Sequence, residues 1–402
     1  MNKIVIVGAG QAAGWAVHTL RNHGYDGEIH VVSNEDNVFY ERPPLSKQVL
    51  SQEAPVESLN LFPENQVDEF SVIWHKPDLA VKIDKQDKCV HLQSGKTLAF
   101  DKLLIATGSR ARIPIAQWAN FKNVYTLRDI QDCHSLAEQF KTAENIAVIG
   151  GGWIGLEIAA TARKQGKNVE IFECGSRLCA RSVSPEVSAF LKDLHEEAGT
   201  KIHLNAMELS LSEVDQDKIQ IDAGPLGQIT FDCVVVGAGA EISKELAVDA
   251  ELDVKDGIVV NEYGQSSHAD IYAAGDVAIH PGLGYCIQSW ANAQNQAISA
   301  AKSMLGDLTA YQDIPWLWSD QYQCNIQILG TYQPEKTVQV VIRKTHPTQQ
   351  SFFYLDDQHR LINMIAVNEA KLVKLAKRWL ANATQLDPQQ LQDLDFNLMK
   401  LK

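Results

Sequence analysis

Two stretches of the chain share one hydrophobic rhythm. Residues 3–35 run from an apolar strand pattern, KIVIVG, through a glycine turn into a segment of helical period, QAAGWAVHTLRNHG, and out into a second strand pattern, EIHVVSNE. Residues 145–173 repeat the sequence of events as NIAVIG, a glycine turn, WIGLEIAATARKQG and NVEIFE. Short apolar runs that hand over to a helix-period segment and then to another apolar run predict right-handed βαβ units. Two such units, with first glycines at Gly8 and Gly150, point to two dinucleotide sites in one chain.

The other segments fit around these units. DKLLIATGSRARIP reads as a short buried strand ending at Thr107-Gly108, followed by a proline-terminated crossover. FDCVVVGAGAEIS near 231–243 and DIYAAGDVA at 270–278 repeat the strand-then-glycine pattern, and SWANAQNQAISAAKSMLG reads as a helix with small residues on one face, stopped by Gly306. The character changes at Pro315. NIQILG, TVQVVIR, QSFFYLDD and RLINMIAV predict successive antiparallel strands, and EAKLVKLAKRWLANA predicts a closing helix. The expected architecture is α/β, with two Rossmann-like dinucleotide-binding domains and a C-terminal α+β domain.

Composition narrows the partners. A chain of 402 residues carries 36 Lys plus Arg against 50 Asp plus Glu, a formal charge of −14, which argues against binding a phosphate backbone. No apolar run is long enough to span a bilayer. Lys3 followed by apolar residues resembles a signal peptide, but the run enters Gly8-Ala9-Gly10 and an amphipathic segment, so a cytoplasmic buried strand is the expectation. Seven scattered cysteines do not form a secreted disulfide framework.

The glycine turns carry the first chemistry. In Gly8-x-Gly10-x-x-Ala13 the first glycine allows the tight turn and the second lets the backbone approach a pyrophosphate. The small third position permits close helix–strand packing. Ser33 stands where an acidic residue usually ends the second strand, which leaves Glu35 as the nearest candidate for the adenosine ribose. Gly150-x-Gly152-x-x-Gly155 is a complete fingerprint, and Glu173 ends its second strand. A carboxylate there favours NADH over NADPH, although Arg177 is also placed to meet a 2′-phosphate. Asp276, beside Gly275 at a strand end, suits a ribityl chain or, equally, a turn cap.

Taken together, GAGQAA, YERPPLSK (40–47), IATGSRAR (105–112), GGGWIGLE (150–157), YAAGDVA (272–278), SWANAQNQA (289–297) and PWLWSDQY (315–322) resemble one family across essentially the whole chain. It is that of the FAD-dependent NADH:ferredoxin reductases of Rieske-type aromatic-ring dioxygenase systems, the putidaredoxin reductase-like family. The resemblance implies the disulfide-reductase-like flavoprotein fold. FAD would occupy a domain in two segments, 1–112 and 238–314, around an NADH domain at 113–237, with the C-terminal domain at 315–402. By position, Gly8, Gly10, Ala13, Glu35, Arg42, Lys47, Arg112, Asp276 and Trp290 would hold FAD; Gly150, Gly152, Gly155 and Glu173 would hold NADH. Lys47, Glu157 and Trp318 become the candidate catalytic residues. Lys47 and Glu157 match the pair that relatives place beside flavin N5, where a cation stabilises charge on the reduced ring. Trp318 matches the aromatic that covers that ring. The bland alternatives are a solvated loop lysine and an ordinary core tryptophan.

The resemblance also implies hydride transfer from NADH to FAD, then single-electron delivery to a [2Fe–2S] ferredoxin of Rieske or plant type. Lys371, Lys374 and Arg378 fall at i, i+3 and i+7 on the last predicted helix and form a cationic stripe that either docks an acidic partner or is simply solvated. Near relatives read Arg-x-Glu-Ser-Trp-Glu-Asn where this chain has Cys286, Gln288 and Ala291 in place of the charges, which bears on the field at the flavin and on docking. No cysteine precedes Cys89, so the Cys-x4-Cys of disulfide reductases is missing, and Cys174 with Cys179 lies at the adenosine end of the second unit. No cysteine spacing suits a metal or cluster, so no metal is expected. The remaining readings on the same fold are an NADH:rubredoxin or monodehydroascorbate-type reductase, or a flavin-bound redox sensor of the apoptosis-inducing-factor kind.

Overall fold

The computed structural model describes residues 2–214 and 217–401. The chain divides into two compact units. The first comprises residues up to Arg42, Val56–Arg110 and Ala240–Pro315; the second comprises Pro43–Pro55, Ala111–Gly239 and the chain from Trp316 onward.

The first unit is built on a five-stranded parallel sheet ordered Ile271–Ala273, Lys102–Ile105, Lys3–Val7, Glu28–Val32 and Val72–His75. Its central strand has both faces buried, and the side-chain period of two divides them. Ile4 and Ile6 pack with the helices Gln11–Asn22 and Trp290–Met304, whereas Val5 and Val7 pack with Ile83, Val90 and Leu98 of a three-stranded antiparallel sheet. Ala12, Ala13 and Ala16 on one helix and Ala293, Ala297 and Ala300 on the other let the two axes approach closely over the sheet.

The second unit repeats the arrangement in the order Lys201–Leu204, Asn168–Glu173, Asn145–Ile149, Cys233–Val236 and Val124–Tyr125, again all parallel. Ala147 and Ile149 pack with a second three-stranded sheet through Leu211, Ile219, Ile221 and Phe231. The same unit holds a five-stranded antiparallel sheet ordered Trp316–Gln321, Cys324–Gly330, Leu361–Val367, Gln349–Leu355 and Gln339–His346. Helix Ala370–Ala381 buries Leu372, Val373, Leu375, Ala376 and Trp379 and leaves Lys371, Lys374 and Arg378 exposed.

Both βαβ units and the four C-terminal strands appear where the hydrophobic pattern predicts them. Strand Trp316–Gln321 is an addition, read from sequence only as a motif. Its inward positions include Ser319 and Gln321, both fully buried, so a polar residue stands where alternation leads one to expect an apolar one. No helix among the described residues is long and apolar enough to cross a membrane.

Candidate functional site: two glycine cradles and a buried ion pair

The two glycine fingerprints have the same geometry. Gly8 has φ +111°, and a Cβ on it would lie 2.2 Å from the Ala106 carbonyl oxygen; Gly150 has φ +113°, and its Cβ would lie 2.4 Å from the Gly237 oxygen. Each is pinned to the neighbouring strand, by Gly8 N–H donating to Val32 O and Gly150 N–H to Phe172 O, both at 2.8 Å. The second glycines are the opposite case. A Cβ on Gly10 or Gly152 would meet nothing within 4 Å. Each is an N-cap without a side-chain cap bond, so first-turn amides are left for a ligand. Ala13 and Gly155 fill the third position; both are buried, and a Cβ on Gly155 would meet the Gly150 oxygen at 2.2 Å. Tight first glycine, open second glycine and close-packed third position fit a dinucleotide pyrophosphate at both turns.

Around the second turn, Glu173 is held by its loops. Oε2 accepts the Gly151 amide at 2.5 Å and Oε1 the Gly175 amide at 2.6 Å. A carboxylate has about four acceptor sites, so each oxygen keeps capacity for a ribose hydroxyl. Arg177 is otherwise engaged. Its guanidinium donates to Val183 O at 2.6 Å, Ser188 Oγ at 2.9 Å and Ala180 O at 2.8 Å, a structural brace rather than a poised 2′-phosphate ligand. Burial pushes the Cys179 thiol strongly up, and its chain neighbour in the x4 pair, Cys174, is exposed; both are free thiols.

In the first unit, Glu35 Oε1 pairs with Arg42 Nη2 at 2.6 Å and Oε2 accepts the Tyr40 hydroxyl at 2.5 Å, while Arg42 lies over the Tyr40 ring. Asp276, in the single turn Gly275–Val277, accepts Ser109 Oγ at 2.8 Å. The Gly275 amide donates to buried Gln296 at 2.9 Å, which fixes that turn on helix Trp290–Met304. Trp290 opens this helix and donates Nε1–H to Glu41 at 3.1 Å. Cys286 packs its sulfur where a Cβ on Gly257 would come within 2.2 Å, and burial with the nearby Asp276 and Asp256 charges pushes its thiol up to about 11. Arg112, in the second unit, is exposed, and its amide donates to Gly239 O.

Lys47 is not a solvated loop lysine. It follows the single turn Pro43–Ser46, its side chain is 12% exposed, and Nζ lies 2.8 Å from Glu157 Oε2 and 3.0 Å from Pro43 O. Glu157 lies on helix Trp153–Lys164, and that helix holds the turn from its other side when Thr161 Oγ1 donates to Ser46 O at 2.8 Å. The hydroxyls of Ser46 and Ser319 also donate to Glu157. Trp318 stacks on Trp316 with ring centroids 5.1 Å apart, on the strand face opposite Ser319. Sequence reasoning named Lys47, Glu157 and Trp318 but missed Ser46, Ser319, Gln321 and Glu41. For Ser319 and Gln321 the available signal was their spacing of two in WLWSDQ, which puts both on one face of a strand.

The chain belongs to the pyridine nucleotide-disulphide oxidoreductase family, whose description matches residues 2–297, and a reductase C-terminal domain matches residues 316–402. Among its relatives is the ferredoxin–NAD(+) reductase component of the p-cumate 2,3-dioxygenase system of Pseudomonas putida, 34% identical over 98% of this chain and 96% of that protein. Rhodocoxin reductase of Rhodococcus erythropolis is 34% identical over 98% and 93%. The crystal structure of the covalent putidaredoxin reductase–putidaredoxin complex matches with a TM-score of 0.93 at 30% identity, covering 100% of this chain and 98% of that one.

Proposed function

We propose that the protein is the NADH-dependent, FAD-containing reductase of an oxygenase system, and that its acceptor is a [2Fe–2S] ferredoxin feeding an aromatic-ring dioxygenase. The observation that carries this reading is the pair of matching cradles, each with a pinned first glycine and an open second one. Gly8, Gly10, Ala13, Glu35, Arg42, Arg112, Asp276 and Trp290 would hold FAD, and Gly150, Gly152, Gly155 and Glu173 would hold NADH. Bound FAD supplies the adaptor chemistry, accepting a hydride and releasing its electrons one at a time.

The protein's own part is position and field. Lys47 would supply a positive charge beside flavin N5 when FAD is bound, and Glu157 orients its ammonium and keeps it from swinging into solvent. Glu173, fixed by two loop amides, sets the adenosine end of NADH and repels a 2′-phosphate. Trp318 would cover the flavin ring when FAD is bound. No side chain need donate a proton during hydride transfer. The site of action is the cytoplasm, where NADH is supplied.

The reading is tested by adding NADH anaerobically to the purified holoprotein and following loss of the flavin absorbance, then comparing acceptor rates for ferredoxin and rubredoxin. Rapid bleaching with faster ferredoxin reduction supports it. A purified protein that takes up no FAD would end it. Docking is proposed at Lys371, Lys374 and Arg378, whose exposed face offers an acidic partner a cationic stripe despite the net charge of −14. Replacing all three with Glu should raise the KM for ferredoxin at least about tenfold at low ionic strength, with NADH-dependent flavin reduction unchanged. An unchanged KM removes the stripe from the proposal.

A further inference from the structure

Glu157 is 3% exposed, and its oxygens are shared among three side-chain donors. Oε2 takes Lys47 Nζ at 2.8 Å together with the Ser46 hydroxyl, and Oε1 takes the Ser319 hydroxyl at 2.6 Å. Behind Ser319 lies a row of buried polar groups. Gln321 Nε2 lies 3.0 Å from Ser319 Oγ, Gln321 Oε1 lies 2.9 Å from His195 Nε2, and His195 Nδ1 lies 3.3 Å from the Tyr322 hydroxyl. Ser319, Gln321 and His195 are each 0% exposed.

One charge fixes the direction of every bond in this row. Glu157, ion-paired with Lys47, accepts through both of its oxygens, and Ser319 donates to it. The Ser319 oxygen then accepts from the Gln321 amide nitrogen, which turns the Gln321 carbonyl toward His195. That carbonyl demands a proton on His195 Nε2, and the free Nδ1 lone pair accepts from Tyr322. The row is therefore polarised toward Glu157, and it anchors the helix Trp153–Lys164 to the C-terminal strand Trp316–Gln321. Burial favours the neutral imidazole that this pattern needs.

We propose that Ser319, locked by Gln321 and His195, is a positioning residue for Lys47: by offsetting part of the Glu157 charge and fixing its rotamer, it leaves the Lys47 ammonium free to act on the reduced flavin. The inference rests on the reading of Lys47 given above. Without the Ser319 hydroxyl, Glu157 turns more of its charge onto Lys47, and the field at the ring becomes less positive. The reduced flavin is then less favoured.

The test is a spectroelectrochemical titration of bound FAD in the holoprotein, with FAD content and thermal melting as controls. Ser319→Ala should lower the two-electron reduction equilibrium about tenfold, a shift of roughly 30 mV to more negative potential. Lys47→Met should lower it further, and in the Lys47→Met background Ser319→Ala should have no additional effect. Should the alanine variant lose FAD, Ser319→Cys, of similar volume but a weak donor, carries the same comparison. An equal shift from Ser319→Ala with and without Lys47 would mean a purely structural role and overturn the proposal. So would no shift from Ser319→Ala when Lys47→Met gives one. If Lys47→Met itself leaves the potential unchanged, the flavin role of Lys47 fails first, and the positioning role fails with it.

Discussion

The carboxylate of Glu173, the last residue of its strand, accepts the amide of Gly151 from within the glycine turn at 2.5 Å. This bond ties the residue proposed to read the ribose to the loop proposed to cradle the phosphates. Glu173→Ala removes that bond and the one from Gly175, so it should cost about 1–2 kcal/mol of stability and raise the NADH dissociation constant about tenfold or more. Glu173→Gln keeps one acceptor oxygen and should fall between. Preference for NADPH should not appear in either variant, because Arg177 stays committed to Val183, Ser188 and Ala180. Titration of NADH and NADPH against each variant checks both statements.

The glycines separate folding from binding. Gly150→Ala forces an L residue to φ +113° with its Cβ 2.4 Å from a carbonyl oxygen, and should destabilise the protein by at least about 2 kcal/mol. Gly152→Ala meets no protein atom within 4 Å, so the melting temperature should stay near the parent value while NADH affinity falls about tenfold or more. Gly10→Ala should do the same to FAD retention. Melting curves paired with cofactor titrations distinguish the three; a Gly152→Ala protein with normal NADH affinity would contradict the cradle.

Much of this was legible because of where the strands lie. Central parallel strands are buried on both faces, so Lys3–Val7 and Asn145–Ile149 carry unbroken apolar runs, IVIV and IAVI, followed by glycine. The three-stranded sheets escaped notice because their alternation is diluted, as in Ala80–Asp84, where Val81 is exposed and Lys82 is its neighbour. Site residues that act through chain-remote partners were harder. Ser319 acquires meaning only when its strand lies against Glu157, 162 residues earlier in the chain. Periodicity reports which face a residue takes, not what that face meets.

His195 makes stability depend on pH. Burial lowers its pKa from 6.5 to about 4, so between these values the unfolded chain binds the proton and the folded one does not. Its contribution is complete above pH 6.5 and is lost as the pH falls toward 4, by roughly 3 kcal/mol in all. His195→Gln removes the titrating group. The difference between urea unfolding curves of parent and variant, measured from pH 7 to 4, should therefore shrink steadily as acid is added. A constant difference across that range would show that His195 titrates alike in the folded and unfolded chains, against the effect of its burial.

Trp316 and Trp318 share one strand and one face, yet they should respond differently to substitution. The Trp316 indole donates to Gln327 at 3.2 Å and supports its neighbour through the stacked contact, so Trp316→Leu should chiefly cost stability. Trp318 is the residue expected to cover the flavin. An electron-rich indole in contact with an excited flavin quenches it by electron transfer, so Trp318→Leu should raise the fluorescence of bound FAD severalfold, with Trp316→Leu giving a smaller rise. The comparison is made at matched FAD occupancy, because free FAD fluoresces more than the bound form. Equal brightening in both variants would assign the effect to loosening of the strand, and unchanged fluorescence after Trp318→Leu would place its ring away from the flavin.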